Sequence, residues 1–454
     1  MREEIRRVIF PDWVDRFTSF LKERGYKEIE YSARPYTQTI YFNNDRFSLP
    51  FQTSLKLRRY SRSSLDSIRL SLDEQYIFEE KSSFYKGKRF LRQKRRDNLS
   101  GVEALQRFNE LSLSALLDCP PNIAGLFQNV RLQPQVATQY HRRHFVLNGE
   151  DGIRITVDKD LSYFSFDGGL EASKMAKEDI VIIELKLNDL AKRGDLERVL
   201  GELDREGALP TISKKCSSFN KLSLRRRSGV ADKLPLINEV PNQEYEVKFD
   251  VDRIDPSTMF LLLRHILEAK QGGFVISPGY TYSDENGAIN VYYRNRHENY
   301  KVTYAGDVFK VSKKSDVESG GGVLVRKESR TKFRKFSSPE DLREDFGEIV
   351  GKLYRIKKAF WVLNQGSNRV YQVVVDKSYS YTTTDSLSQV ELEYTGRVGG
   401  RASQSANGEI QSELSRLKEI LCGSELTSPF LKQSTLTKFE WLFGLSPNTH
   451  IQQT

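Results

Sequence analysis

Five stretches in the N-terminal half of the chain set charged side chains two residues apart. Within 54–60, Lys56, Arg58 and Tyr60 share one alternation, and Leu55 and Leu57 take the other. Glu79 and Lys81 alternate together in 77–81, as do Tyr140, Arg142 and His144 in 138–146. In 152–158 the two sets separate fully, with Arg154, Thr156 and Asp158 against Ile153, Ile155 and Val157. In 180–187, Glu184 and Lys186 oppose Val181, Ile183, Leu185 and Leu187. A period of two is that of a strand, and it puts each set on one side of a sheet. One such strand reads as part of an antiparallel sheet with a solvated face. Five of them, repeating Lys and Arg with a Glu on two, suggest a sheet that closes with its apolar faces outward and its charged faces around a bore. Cations packed that closely repel one another and lose hydration. A polyanion would have to fill the bore, and a few carboxylates could hold a divalent metal. Oxygen ligands at octahedral geometry suit Mg²⁺ or Mn²⁺.

The whole chain fits that chemistry. It has 454 residues with 71 Lys and Arg against 61 Asp and Glu, a net charge of +10, so it favours anionic partners. The 26 Phe and 21 Tyr supply core material that a disordered chain lacks. No window is apolar enough for a transmembrane helix, and no apolar segment of signal-peptide type follows Met1. The three cysteines, Cys119, Cys216 and Cys422, lie far apart, which excludes a disulfide framework or a Cys-rich zinc site. A cytoplasmic protein with no membrane partner is the expectation.

The elements that must carry these residues recur in the second half. Each half opens with a short charged strand, Glu4-Ile5-Arg6-Arg7 and Glu244-Tyr245-Glu246-Val247-Lys248-Phe249, followed by a Pro and an amphipathic helix. The stretch 39–43 resembles 290–295, and Glu79-Glu80-Lys81-Ser82 pairs with Arg326-Lys327-Glu328-Ser329. Arg142 pairs with Lys357, Asp158 with Asp376, and Glu184 with Glu391. Ser100-x-x-Glu103 and Ser338-x-x-Asp341 read as capping boxes. Loops are expected at 315–322 and 396–409, and the basic run Lys94-Arg95-Arg96 reads as solvated surface. The expected organisation is α+β: two tandem antiparallel β-barrel domains, 1–222 and 243–454, with helices outside and a linker at 223–242.

The first half resembles the catalytic domain of the vacuolar transporter chaperone (VTC) polyphosphate polymerases, in the triphosphate tunnel (CYTH) superfamily. The motifs run in the family's order: Lys56-Leu57-Arg58, Phe78-Glu79-Glu80-Lys81, Tyr140-His141-Arg142-Arg143-His144-Phe145, Arg154-Ile155-Thr156-Val157-Asp158, Ile183-Glu184-Leu185-Lys186 and Ser213-Lys214. Its first strand departs from the family's E-R-K, with Arg6 where Lys is usual. The second half resembles a CYTH domain through Glu244-x-Glu246-x-Lys248, but Gln372 stands where Arg154 is expected and Glu328 where Lys81 is expected. Lys357 keeps the charge of Arg142 without the guanidinium. That half is expected to be a degenerate tunnel, with Glu244, Glu246, Lys248, Lys357 and Glu391 as its remaining site residues.

The resemblance implies that ATP or another triphosphate enters the first tunnel. Lys56, Arg58, Lys81, Arg142, Arg154 and Lys214 would grip phosphate oxygens, and Arg6, Ser213, Lys186 and Tyr140 would complete the lining. Glu184, with Glu79 and Glu4, would hold Mn²⁺ or Mg²⁺. Three activities remain open: a polyphosphate polymerase using ATP, a triphosphatase acting on tripolyphosphate or an RNA 5′ end, and a non-catalytic polyphosphate or nucleotide sensor. Inorganic polyphosphate is the expected partner, and nucleic acid is possible but less favoured.

Overall fold

The computed structural model describes residues 3–30, 33–44, 48–51, 53–86, 89–111, 113, 116–117, 119–127, 131–147, 153–187, 193–206, 208–210, 214, 218–219, 221–222, 236–269, 271–295, 298–305, 308–320, 322–333, 342–380, 385–399 and 405–445. Two large antiparallel sheets follow one another along the chain, with helices packed outside, an α+β fold. The first is built from β1 (Glu3–Ile9), β2 (Tyr36–Asn43), β3 (Ser54–Ser61), β4 (Gln75–Lys86), β5 (Arg89–Ser100), β6 (Gln133–Leu147), β7 (Ile153–Phe166) and β8 (Val181–Leu187). Its strand order is β1-β8-β7-β6-β2-β3-β4-β5. The second uses β9 (Gln243–Val251), β10 (Phe274–Arg294), β11 (Asn299–Ala305), β12 (Val308–Gly320), β13 (Val323–Phe333), β14 (Glu348–Asn364), β15 (Arg369–Ser380) and β16 (Ser386–Val398). Its order is β9-β16-β15-β14-β10-β11-β12-β13, and β13 returns to β9 to close an eight-stranded barrel. The two orders are identical, each strand of the first sheet matching the strand eight later. Among the described residues the first sheet shows no pairing of β5 with β1 to match that closure.

The apolar sets of the alternating strands face outward, under helices. Ile153, Ile155, Val157, Ile183 and Leu185 pack beneath α1 (Val14–Glu23) and α3 (Arg193–Arg205), through Phe17, Leu21, Leu196 and Leu203. Each such Leu or Phe contributes about 1.5–3 kcal/mol on burial. On the neighbouring strands Leu55, Leu57 and Phe78 pack beneath Phe108 of α2 (Gly101–Asn109). The Ser100 capping box starts that helix, with Ser100 N donating to Glu103 at 2.7 Å and Glu103 N to Ser100 at 3.2 Å. Its counterpart at Ser338 lies outside the described residues.

The outer core runs unbroken from one half into the other. Between them lies α4 (Pro256–Glu268), expected to be amphipathic but buried almost all round from Pro256 to Leu263. Its second apolar face meets the N-terminal half: Phe51 N donates to Ser257 Oγ at 2.7 Å, and Cys119 Sγ lies 3.6 Å from Thr258 Oγ1. Fully buried Lys358 donates to the Leu49 carbonyl beneath the Phe51 and Phe260 rings. Leu236 and Ile237, expected within the linker, pair with β16 and belong to the second sheet. The loop expected at 315–322 is instead the end of a long β12–β13 hairpin.

Candidate functional site

The inner face of the first sheet gathers its cations around three buried carboxylates. On β4, Glu79 is fully buried and forms ion pairs with Lys56 at 2.9 Å and Arg58 at 3.1 Å from β3. From β5 it accepts Lys94 at 2.5 Å and Arg96 at 2.7 Å. On β7, Asp158 is also fully buried, and Arg142 of β6 clasps it with two bonds of 2.5 and 2.6 Å. Lys214 adds a third contact at 2.5 Å, and both cations lie against the Tyr140 ring, at 5.0 and 4.6 Å from its centroid. On β8, Glu184 takes Arg6 of β1 at 3.1 Å and Lys186 at 2.5 Å, with Arg142 at 3.8 Å. The register makes these meetings inevitable: Lys56 stands opposite Glu79, Arg142 opposite Asp158 and Arg6 opposite Glu184.

Charge still does not balance. Lys81 stands between Ser54 and Lys94 on the same face. Arg154 stands opposite Lys186, and its Nε is buried without a hydrogen-bond partner; among the described residues it has no ion pair. Among the described residues the cations on this face outnumber the carboxylates. Burial works to raise the Glu79 carboxyl, but Lys56 and Arg58 override it and hold the group far below the usual range. Asp158 is held down the same way, by Arg142 and Lys214 against its burial. Lys56 moves in the opposite sense: burial, then Arg58, push it down to about 7. Burial and the neighbouring Arg142 push His144 down to about 4, which keeps it neutral at physiological pH.

One end of the bore is apolar. Val8, Leu161, Tyr163 and Ile182 meet Tyr140 there, and Phe219 and Leu222 pack on Tyr41 and Val136. Asp160, in the left-handed region at φ 56°, lies where the β6–β7 register shifts and brings Leu161 onto the inner face. Lys214, Phe219 and Leu222 thus all reach the first sheet from outside its strands.

The second barrel repeats this plan with different charges. Asp376 is fully buried and held by Arg355 at 2.5 Å and Lys438 at 3.0 Å. Glu391 takes the same two cations, each at 2.7 Å. Glu246 takes Lys248 at 3.0 Å and Arg326 at 2.7 Å. Lys438 opens α5 (Lys438–Leu445), whose Leu442 packs on Tyr292 and Leu353, as Phe219 and Leu222 pack on the first sheet. Following the registers from Tyr41 and Tyr292 gives the equivalences. Arg58 becomes Thr303, Glu79 becomes Ser312, Arg154 becomes Gln372, and Lys186 becomes Glu393. Two sequence pairings are corrected here. Arg326 and Glu328 lie on β13, the counterpart of β5 rather than β4, so Glu328 stands in Lys94's place and not in Lys81's. Lys357 does stand opposite Asp376, but Arg355, two residues earlier, binds that carboxylate, so a guanidinium is retained.

With this geometry in view, comparison with known proteins is informative. Residues 8–222 match the model of the VTC domain. The N-terminal half is a VTC domain. Comparison with curated proteins gives no match. Among solved structures, the chain is similar to Hippeastrum HpAC1, described as an adenylyl cyclase with dominant triphosphatase activity. That match has 12% identity, covers 46% of this chain and 91% of that one, and has a TM-score of 0.27. PH1012 of Pyrococcus horikoshii matches at 13% identity over 43% and 98% of the two chains, with a TM-score of 0.28. The Pct1 RNA triphosphatase of Schizosaccharomyces pombe matches at 10% identity over 47% and 91%, with a TM-score of 0.22. The VTC domain and its charged bore together mark a phosphate-handling enzyme. No helix among the described residues is long and apolar enough to cross a membrane.

Arg6, Lys56, Arg58, Glu79, Lys81, Tyr140, Arg142, Arg154, Glu184 and Lys186 share one inner face of the first sheet, and Lys214 reaches it from outside the strands. Glu4 stands opposite Lys186 in register, but its side chain lies outside the described residues, as does Ser213. Lys94 and Arg96 join the site, although their run reads as solvated. Alternation turns those two to Glu79 while Arg95 faces out to Asp97. Asp158, visible in the sequence pattern, was not expected as a centre of the site and is one.

Proposed function

We propose that the VTC domain is a polyphosphate polymerase: it transfers the γ-phosphate of ATP to the end of a growing polyphosphate chain and releases ADP. The supporting observation is the state of the carboxylates. Glu79 and Asp158 each pair with two or more cations and are held ionised. Hydrolysis needs a group that can orient and deprotonate water. Transfer to a phosphate chain does not, because the terminal phosphate oxygen is already anionic. It attacks the γ-phosphorus, and the bond to the bridging oxygen of ADP breaks.

Such a transfer is catalysed mainly by positioning and charge neutralisation. Lys56, Arg58, Lys81, Arg142, Arg154 and Lys214 supply the charge; Arg6, Lys186, Tyr140 and Ser213 complete the lining. Glu79 fixes Lys56 and Arg58 from behind, and Asp158 does the same for Arg142 and Lys214. Mn²⁺ or Mg²⁺ fits Glu184, with Glu4 next to it in the strand register. Among the described residues no three metal-binding side chains converge, so most of the ion's ligands would be substrate and water oxygens, the usual arrangement beside phosphates. When bound, the ion would neutralise phosphate charge. The second barrel, lacking the equivalents of Arg58 and Arg154, is a degenerate tunnel; residues 1–222 and 243–454 act as the two domains, and Leu236 and Ile237 of the 223–242 stretch between them belong to the second.

Incubation of the purified protein with ATP and Mn²⁺, resolved on a gel that separates phosphate chains by length, tests the proposal. A ladder of long chains is the expected result. Orthophosphate alone would establish a triphosphatase, and no turnover would leave a polyanion-binding protein.

A further inference from the structure

The inner face of β3 carries one side chain that phosphate chemistry does not use. Tyr60 continues the alternation of Lys56 and Arg58, and its cross-strand neighbour on β2 is Thr37. Thr37 is buried and small, so it leaves the ring uncovered: Tyr60 is 39% exposed, whereas Tyr140 beyond Thr37 is buried at 3%. It stands two residues from Arg58 and, across β2, about 10 Å from the strand of Arg142 by ordinary strand spacing. A phosphate chain held between Arg58 and Arg142 would have this exposed aromatic face beside it. Phosphate itself gains nothing from such a face, but a heteroaromatic ring does.

We propose that Tyr60 binds the nucleobase of a nucleoside triphosphate whose phosphates occupy the cationic bore, making it the residue that separates nucleotide from inorganic substrates. This rests on the bore being a phosphate site, and the test keeps the two ideas apart. Calorimetric titrations with ATP and with tripolyphosphate are run on the full chain and on Tyr60→Ala and Tyr60→Phe. Tyr60→Ala should weaken ATP roughly tenfold, the value of one base–aromatic stack. It should leave tripolyphosphate unchanged, which also shows that the bore is still folded. Tyr60→Phe should restore ATP affinity. Equal weakening of both ligands, or no change for ATP, overturns the stack and leaves the phosphate site standing. Wild-type protein that binds tripolyphosphate but not ATP does the same. Wild-type protein that binds neither overturns the phosphate reading and this inference with it.

Discussion

Arg154 stands out among the inner cations because, among the described residues, no carboxylate holds it. Most cations of the bore are tied to Glu79, Asp158 or Glu184, and those ties stabilise the fold as well as the site. Removing one partner of a buried pair typically costs about 3–5 kcal/mol, so such variants confuse unfolding with loss of function. Arg154→Ala breaks no ion pair among the described residues, and its backbone is paired within the sheet opposite Lys186. Turnover and phosphate affinity should collapse while the melting temperature stays within a few degrees of wild type, checked by kinetics and thermal denaturation side by side. Lys56 makes a second prediction. Burial and Arg58 disfavour its charge and push it down to about 7. A bound polyanion favours the charged form and restores the proton. Tripolyphosphate binding at pH 8–9 should therefore take up about one proton, and binding at pH 6, where Lys56 is already charged, should take up none on its account. Titrations in buffers of different ionisation enthalpy measure this. The uptake should disappear in Lys56→Arg, whose guanidinium stays charged throughout.

Strands made most of the site readable. A period of two assigns faces without knowledge of the fold, which is why Lys56, Arg58, Arg142, Arg154 and Glu184 could be placed on one surface from sequence alone. The same rule applied to Lys94-Arg95-Arg96 would have turned Lys94 and Arg96 inward, but three adjacent cations hide their alternation. Strand equivalence between the halves was harder. Glu79-Glu80-Lys81-Ser82 resembles Arg326-Lys327-Glu328-Ser329 in composition, yet the sheets place them one strand apart, because hairpin order is set by pairing and not by local likeness. The capping segments were invisible for another reason. Lys214 and Lys438 act from outside their sheets, and only the third dimension brings them to Asp158 and Asp376. Lys214→Met should expose this role. Asp158 is fully buried and its depressed folded-state pKa contributes stability that is present above its unfolded value and lost as pH falls through the folded one. With one of its two cations gone, that depression shrinks. The variant should unfold at a higher pH than wild type in an acid titration followed by circular dichroism.

At the scale of the whole molecule, two barrels of one plan share a core but treat charge oppositely. The first leaves cations in excess, which a bound polyanion would neutralise. The second neutralises itself: Arg355 and Lys438 hold Asp376 and Glu391, while Lys248 and Arg326 hold Glu246. Where the first has Arg154 and Lys186 the second has Gln372 and Glu393, so a phosphate entering it would meet a carboxylate. A bore of this kind contributes to the fold, and its helix α4 supports the N-terminal half along their common core. The consequence is a separation of effects. Lys248→Met leaves buried Glu246 short of one of its two cations. The variant should lose about 3–5 kcal/mol of stability, the range for breaking a buried pair, yet turn ATP over at the wild-type rate at temperatures where it is folded. Glu246→Ala should behave likewise. Thermal denaturation and turnover measured on the same preparations decide it. Full stability with lost turnover in either variant would mean that the second barrel carries chemistry of its own, with ligands other than those of the first.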